Sequence, residues 1–317
     1  MDDYLGPYLL QLAQTLVVVM LAPLMVGWVN QCRAWLQNRS GAGVLQPYRV
    51  LHKLFHKDAL IAHNASAIFR AAPYIQFGCM VLVASVVPMI GTNLAFSPAA
   101  DVIALVGVFA LARVFSSLAA MDIGTAFGSF GARREMLVAS LSEPALLMVF
   151  FTPLLIVQSS SLSTIVDTLA HREFAIYPSF AFAAVAFIMV LLAENARIPV
   201  DNPSTHLELT MIHEALILEY SARHLALIEW ATAIKLTVYC AIGIALFAPW
   251  GMARGGDWLL FALAAGILVA KLALAGAGLA VLETVSAKMR IFRAPEFLGM
   301  AFLFAVLGML IRQLLGA

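Results

Sequence analysis

Ionisable side chains are concentrated between residues 194 and 223, where the chain reads ENARIPVDNPSTHLELTMIHEALILEYSAR. Glu194 and Arg197 are one helical turn apart and are predicted to form an ion pair. The prolines that follow interrupt regular helix, and Ser204 or Thr205 can cap a new one. Carboxylates at such boundaries can carry protons or change the field at neighbouring acids.

The new helix is predicted to carry further acids beyond Asp201. Glu208 and Glu219 are eleven residues apart, about three turns, so they would share one face. Glu219 precedes Arg223 at the i,i+4 spacing that favours pairing. The residues between the acids are mostly apolar, which favours a buried or embedded amphipathic helix. A surface helix with solvated charges is the alternative.

A second ionisable stretch, MDIGTAFGSFGARREMLVASLSEPALL, covers residues 121–147. Asp122 precedes three glycines that predict a flexible or closely packed loop, and Arg133 and Arg134 then open a helix. Glu143 lies about two turns inside that helix, where a carboxylate facing lipid would be costly. We therefore expect Glu143 to face protein or water and to suit a proton-carrying role, with a purely structural salt bridge as the alternative.

A third set of candidates lies near the C-terminus. Lys271 is in the middle of an apolar run and Glu283 is at its end. A lysine at that depth is a functional candidate because it cannot easily reach the membrane surface. His52 and His56 have metal-binding spacing but no third ligand nearby, and the three cysteines are scattered, so no metal site is predicted.

The composition predicts which kind of helix positions these residues. Of the 317 residues, 62% are hydrophobic and 12% are charged. A soluble domain would carry about a quarter charged residues. The sequence therefore predicts an all-α polytopic integral membrane protein, with about eight transmembrane helices and an amphipathic cytoplasmic-side helix. The predicted spans are 8–29, 73–92, 99–120, 136–157, 177–193, 225–249, 258–282 and 295–315.

Lysine and arginine mark one side of this membrane domain, which covers residues 1–317. Of the 19, fifteen lie in or beside the loops after the odd-numbered spans, three lie in the other loops and termini, and Lys271 lies mid-helix. The positive-inside rule makes 30–70, 121–135, 194–224 and 284–294 cytoplasmic loops and puts both termini on the other side. The expected location is a bacterial or archaeal cytoplasmic membrane.

Common motifs for binding a nucleotide, a catalytic metal or a haem are missing from the sequence, which has no Walker motif, GxGxxG, HExxH or CxxCH. No cofactor is therefore expected in this chain, and any electrons would be carried by other proteins.

Several stretches in one register resemble the subunit 1 family of respiratory complex I. They are VLQPYRVLHKLF (44–55), GARREMLVASLSEP (131–144), ENARIPVDNP (194–203), LEL (207–209), EYS (219–221) and ETVSAKMRIFR (283–293). The stretch DIGTAFGSFGARRE (122–135) resembles the branch found in membrane-bound nickel–iron hydrogenases and formate hydrogenlyase, the hydrogenase-4 component C-like branch. Ser204 and His206 stand where the family typically has glutamates.

The resemblance implies a non-redox membrane subunit that docks a soluble redox arm and links it to proton or sodium movement. Implied partners are hydrogenase-like large and small subunits, a ferredoxin-like cluster subunit, antiporter-like membrane subunits and membrane lipid; nucleic acid is not expected. Iron–sulfur clusters and the nickel–iron centre would lie in those partners. The expected proton-path or coupling residues are Glu143, Glu194, Arg197, Asp201, Glu208, Glu219, Glu283, Lys271 and Asp122. The expected docking residues are Arg33, Arg39, Arg49, Lys53, Arg133, Arg134, Arg290 and Arg293.

Three alternatives stay open. The chain could be a quinone-site subunit, which predicts a cavity between the first, sixth and seventh spans. It could be a stand-alone secondary transporter, which predicts an inverted repeat. It could also be an inert anchor, which would tolerate neutral substitutions of its acids.

Overall fold

A computed structural model describes residues 2–92, 95–171, 178–201, 211–253 and 258–315. Within these ranges the regular structure is helical, apart from two isolated β-bridges. The helices are α1 (Asp2–Leu36), α2 (Gln46–Phe55), α3 (Ala67–Val86), α4 (Val102–Asp122), α5 (Ala126–Val157), α6 (Leu162–His171), α7 (Pro178–Glu194), α8 (His213–Ile217), α9 (Ala222–Phe247), α10 (Trp258–Val285) and α11 (Ala294–Leu315).

Seven of these helices are long and apolar enough to cross a membrane: α1, α3, α4, α5, α9, α10 and α11. The 17-residue α7 is apolar but shorter. Together they agree with the eight predicted spans and confirm the multi-pass membrane fold. Because successive spans alternate in direction, the ends of α1, α4, α7 and α10 share one side with the beginnings of α3, α5, α9 and α11. We call this the charged side, because it holds Arg33, Glu135, Glu194 and Glu283.

Helix α9 lies closest to the middle of the bundle. In its most apolar window 67% of the residues are buried, against 28% for α10 and α11. Small residues such as Ala231, Ala241 and Ala245 let neighbouring helices approach it, and Tyr239 is fully buried against Phe109. The outer faces of α10 and α11 expose leucines such as Leu263, Leu274 and Leu303, which suits contact with lipid or other membrane proteins.

The predicted loop 121–135 is largely helical, because α5 begins at Ala126 rather than near Met136. The turn before it uses Gly124 at φ 77°. The third glycine serves packing rather than flexibility: a Cβ at Gly131 would lie 2.7 Å from the Cβ of Ala215 on α8. This contact brings α8 directly against α5.

Residues 87–92, after α3, and 248–253, after α9, are non-helical and lie opposite the charged side. The predicted span 73–92 is shifted, since α3 ends at Val86. The Ala253 N–H donates to the Ile90 carbonyl at 2.8 Å, and the Gln14 side chain bonds the Val87 carbonyl and the Ile90 N–H, each at 3.0 Å. Polar side chains therefore satisfy backbone groups that would otherwise be unpaired in an apolar setting.

Candidate functional site

Arg113, on α4, is the centre of a buried group of ionised side chains. Its guanidinium contacts three carboxylates: Nη1 lies 2.9 Å from Glu143, Nε lies 3.5 Å from Glu135, and Nη2 pairs directly with Glu194. Glu135 and Glu143 are two turns apart on α5, and Glu194 is the last residue of α7. Three helices thus bring their charges to one point.

Glu194 is the most firmly held of these carboxylates. Besides Arg113, it pairs with the Lys235 ammonium at 3.0 Å and accepts a hydrogen bond from the Ser142 hydroxyl. The same ammonium donates to the Glu194 main-chain carbonyl at 2.6 Å, which satisfies one of the carbonyls at the end of α7. We use "Arg113 cluster" for Arg113, Glu135, Glu143, Glu194 and Lys235.

Depth distinguishes this cluster from a surface network. Arg113 is about nine residues, or roughly 14 Å along the axis, from the charged-side end of α4. Arg113, Glu135 and Glu194 are 8%, 4% and 3% exposed, whereas the Glu143 side chain is one-third exposed. Glu143 is therefore the most exposed member of the cluster.

A smaller network, the Glu283 bridge, lies beside the cluster. Glu283, at the end of α10, binds Arg197 at 3.0 Å and Arg33 at 3.4 Å. The predicted pair of Glu194 with Arg197 is therefore wrong. Helix α7 ends at Glu194, and Ala196 adopts φ 52°, so the turn separates the two side chains and gives them different partners.

A cavity of about 440 Å³ is lined by residues of both networks. Arg33 and Arg197 of the Glu283 bridge line it, and so do Arg113, Glu135, Glu194 and Lys235 of the Arg113 cluster. Its remaining walls come from α1, α2, α3, α8 and α9, and in the described part of the chain α10 contributes no residue.

His213, the first residue of α8, extends the cluster towards Asp201. Its Nε2 lies 3.2 Å from Glu135, and its Nδ1 lies 3.4 Å from Asp201. Burial lowers the pKa of His213, but the two carboxylates outweigh burial and raise it above its ordinary value.

Four other predicted coupling residues lie away from this site or outside the described ranges. The Lys271 ammonium donates to the carbonyls of Ala248, at 2.6 Å, and Trp250, so it caps the end of α9. Asp122 accepts a hydrogen bond from the Ser66 N–H at 2.8 Å. Glu219 is exposed in the turn after α8, so the predicted continuous helix to Arg223 is not observed there. Glu208, with Ser204 and His206, lies outside the described residues.

The predicted docking residues are mostly accessible. Arg39, Arg49, Lys53, Arg133, Arg290 and Arg293 are exposed on the charged side. Arg33 and Arg134 have intramolecular roles: Arg33 binds Glu283, and Arg134 donates to the Met211 carbonyl at 3.0 Å. Among the residues that the structure describes, no three His, Cys, Asp or Glu side chains form a group suited to a metal ion.

Four members of the site were missed from the sequence. Arg113 and Lys235 are among the fifteen cations assigned in or beside the loops after the odd-numbered spans, and Glu135 and His213 are not among the predicted coupling residues. The available signal was burial within apolar runs: Arg113 has the stretch VIALVGVFALA before it. The depth argument applied to Lys271 applies equally to Arg113.

The fold and the site define a multi-pass α-helical membrane protein with a buried ionised cluster near one side. A family model described as NADH dehydrogenase matches residues 10–313, and the chain belongs to this family, which is that of complex I subunit 1.

The chain is also similar in sequence to several known proteins. Formate hydrogenlyase subunit 4 of Escherichia coli K12 is 31% identical over 300 residues, which cover 93% of this chain and 95% of that one. Hydrogenase-4 component C of the same organism is 33% identical, with 80% and 78% covered. An NADH-quinone oxidoreductase subunit of Rhodospirillum rubrum is 26% identical, with 65% and 63% covered.

The fold itself also has a solved counterpart. A chain in the structure of the membrane-bound sulfane sulfur reductase, an archaeal respiratory membrane complex, superposes with a TM-score of 0.83. The two chains are 18% identical, and the match covers 96% of this chain and 99% of that one. This similarity establishes the shared fold.

Proposed function

We propose that this chain is the energy-coupling and anchoring membrane subunit of a complex I-like nickel–iron hydrogenase of the formate hydrogenlyase type. The observation that carries the proposal is the Arg113 cluster. Three carboxylates there face two basic side chains, Arg113 and Lys235, so the cluster has one negative charge in excess when all five groups are ionised. An excess charge at this depth is costly, and one proton, taken up by a carboxylate of the cluster or by the adjacent His213, offsets it.

Glu143 is the proposed site of that proton. Glu194 is stabilised as a carboxylate by Arg113, Lys235 and the Ser142 hydroxyl, whereas Glu143 pairs with Arg113 and is partly exposed. Protonation of Glu143 frees the Arg113 guanidinium to bind Glu135 and Glu194 more closely. The proton and the position of Arg113 are thereby linked, which is the minimum that a coupling site needs.

The Glu283 bridge is a second network, and its net charge is opposite in sign to that of the Arg113 cluster. Two arginines share one carboxylate there, which gives the bridge an excess of positive charge. Arg197 and Arg33 face the same cavity as the Arg113 cluster, so a shift of either network changes the field at the other. Asp201 and Glu283 thus act with Glu143 and Glu194, while the role of Glu208 is carried over from the family resemblance.

The exposed cations of the charged side form the proposed docking surface, on a side that we take to be cytoplasmic. Arg39, Arg49, Lys53, Arg133, Arg290 and Arg293 would bind the hydrogenase-like large and small subunits and a ferredoxin-like cluster subunit. Those partners would hold the iron–sulfur clusters and the nickel–iron centre. Antiporter-like membrane subunits would cover apolar faces of the outer helices. The names of the two Escherichia coli relatives support a hydrogenase-type assembly.

The test is copurification of the tagged chain in mild detergent, followed by hydrogen-evolution and quinone-reduction assays. We expect cluster-bearing partners and hydrogen evolution. Glu143→Gln and Glu208→Gln should reduce coupled ion movement while assembly survives. A chain that purifies alone and moves a solute would contradict the proposal and favour the transporter. Unchanged ion movement in both variants would favour an inert anchor.

A quinone-site subunit is the second candidate, and the cavity is the observation that favours it. The cavity has apolar walls from Pro23, Val26 and Met80 and ends at charged groups, which suits a ring with a hydrophobic tail. It lies between the first and sixth spans as that alternative predicts, although α2, α3 and α4 stand in place of the seventh. Quinone reduction by the purified complex without hydrogen evolution would select this candidate.

A further inference from the structure

His213 contacts two carboxylates from different parts of the chain. Its Nδ1 lies 3.4 Å from Asp201 Oδ2, and its Nε2 lies 3.2 Å from Glu135 Oε2, the second being an ion-pair contact without hydrogen-bond geometry. The His213 N–H donates to the same Asp201 oxygen at 3.2 Å, which holds that carboxylate next to the ring. The imidazole is therefore the link between the loop after α7 and the Arg113 cluster.

The local fold keeps this link in place. Gly131 lets α8 approach α5 to a distance that a Cβ would block, and Glu135 follows one turn later on α5. Arg134 binds the Met211 carbonyl at 3.0 Å and so fixes the backbone just before His213. The ring also lines the cavity, which has room for on the order of ten water molecules. The ring thus has fixed carboxylate partners and space on one side.

We infer that His213 transfers protons between Asp201 and Glu135 and is the point at which protons enter the Arg113 cluster. This inference rests on the proposed coupling function. A proton on the Asp201 carboxyl moves to Nδ1 and gives an imidazolium. A small rotation of the ring or of the Glu135 carboxylate then aligns the Nε2–H with Oε2, the proton passes to Glu135, and the ring is left neutral with its hydrogen on Nδ1. Ring rotation, or exchange with water in the cavity, restores the starting tautomer.

The charges around the ring are consistent with this role. His213 faces Asp201 from the α7 loop, and its raised pKa keeps the imidazolium accessible near neutral pH. The other ionisable residues that line the same cavity are Arg33 from α1, Arg113 from α4, Glu135 from α5, Glu194 and Arg197 from the end of α7 and its loop, Glu214 from α8, and Glu229 and Lys235 from α9; Arg134 binds the Met211 carbonyl beside His213. Glu135 and Asp201 are the two that contact the imidazole nitrogens.

The test is chemical rescue in inverted vesicles that contain the whole complex. His213→Ala should lower proton movement per catalytic turnover at least about tenfold. Added imidazole should restore it, because the deletion opens space beside an existing cavity. Rescue by substituted imidazoles should follow their pKa values, a dependence that a purely structural role would not produce. His224→Ala is the matched control, since His224 is also buried but its ring contacts Tyr74; imidazole should not affect this variant.

Glu143→Gln, measured in parallel, separates this inference from the proposed function. If Glu143→Gln loses proton movement while His213→Ala keeps wild-type movement, or shows no rescue, the assignment of His213 is wrong and the coupling function stands. If both variants move protons as the wild type does, the proposed function itself is contradicted, and the role of His213 with it.

Discussion

The Arg113 guanidinium and the Glu194 carboxylate form a direct ion pair that is buried between α4 and α7. Two residues from separate apolar helices, 81 positions apart in sequence, thus meet inside the bundle. The pair is stable there because Glu194 has further donors in Lys235 and Ser142, so its charge is shared among several partners. This arrangement makes the stability of the bundle and the charge state of the cluster depend on the same residues.

Arg113→Gln should destabilise the protein strongly, because it leaves the buried carboxylates of Glu135 and Glu194 and the partly exposed Glu143 with Lys235 as the remaining basic side chain of the cluster. Breaking a buried ion pair by removing one partner costs about 3–5 kcal/mol. Thermal unfolding of the purified protein in detergent measures the loss. Arg133→Gln is the control, since that side chain is exposed and its replacement should have little effect. Equal stability of the two variants would show that the cluster does not hold the helices together.

Gly131→Ala should push α8 away from α5. The added Cβ would meet the Ala215 Cβ at 2.7 Å and the Ile212 carbonyl at 3.1 Å, and overpacking of this kind costs about 1–3 kcal/mol. Gly107→Ala is the matched control, because a Cβ there would have nothing within 4 Å. We expect lower thermal stability and weaker ion movement for Gly131→Ala alone. A neutral result would mean that α8 is not held at this spacing.

Lys271→Met should destabilise the end of α9 without altering ion movement. The ammonium satisfies the carbonyls of Ala248 and Trp250, and loss of such bonds to a charged donor costs about 1–3 kcal/mol. Unfolding in detergent and proton movement in vesicles are the two measurements. Loss of proton movement at unchanged stability would instead restore Lys271 to the proton path suggested by its mid-membrane position.

His213 should make stability fall with rising pH. Its pKa is raised above 6.5 in the folded state, because Glu135 and Asp201 outweigh burial, so folding binds an extra proton. The stabilisation is complete below the unfolded pKa and disappears as the pH rises through the folded pKa. The difference in thermal midpoint between wild type and His213→Asn, followed from about pH 5 to about pH 9, should shrink over this interval. A difference that is constant with pH would contradict the ion pairs at His213.

Apolar runs predicted most of the fold, because each span is a long hydrophobic segment that must satisfy its own backbone. Contacts among the polar residues were harder to predict from the sequence. Glu194 and Arg197 are neighbours in sequence, yet a turn at Ala196 gives each a partner from a distant helix. Local spacing cannot reveal such partners, since they depend on which helices pack together. The depth of Arg113 was readable from the sequence, whereas the meeting of His213 with Glu135 required the packing at Gly131.

The most direct test of the central claim is the number of protons moved per hydrogen formed in inverted vesicles carrying the complex. Glu143→Gln is compared there with the exposed substitution Glu219→Gln. If the Arg113 cluster couples redox chemistry to proton movement, Glu143→Gln should keep hydrogen evolution and lower the ratio towards zero, while Glu219→Gln keeps the wild-type ratio. A wild-type ratio in Glu143→Gln, with the complex intact, would contradict the account.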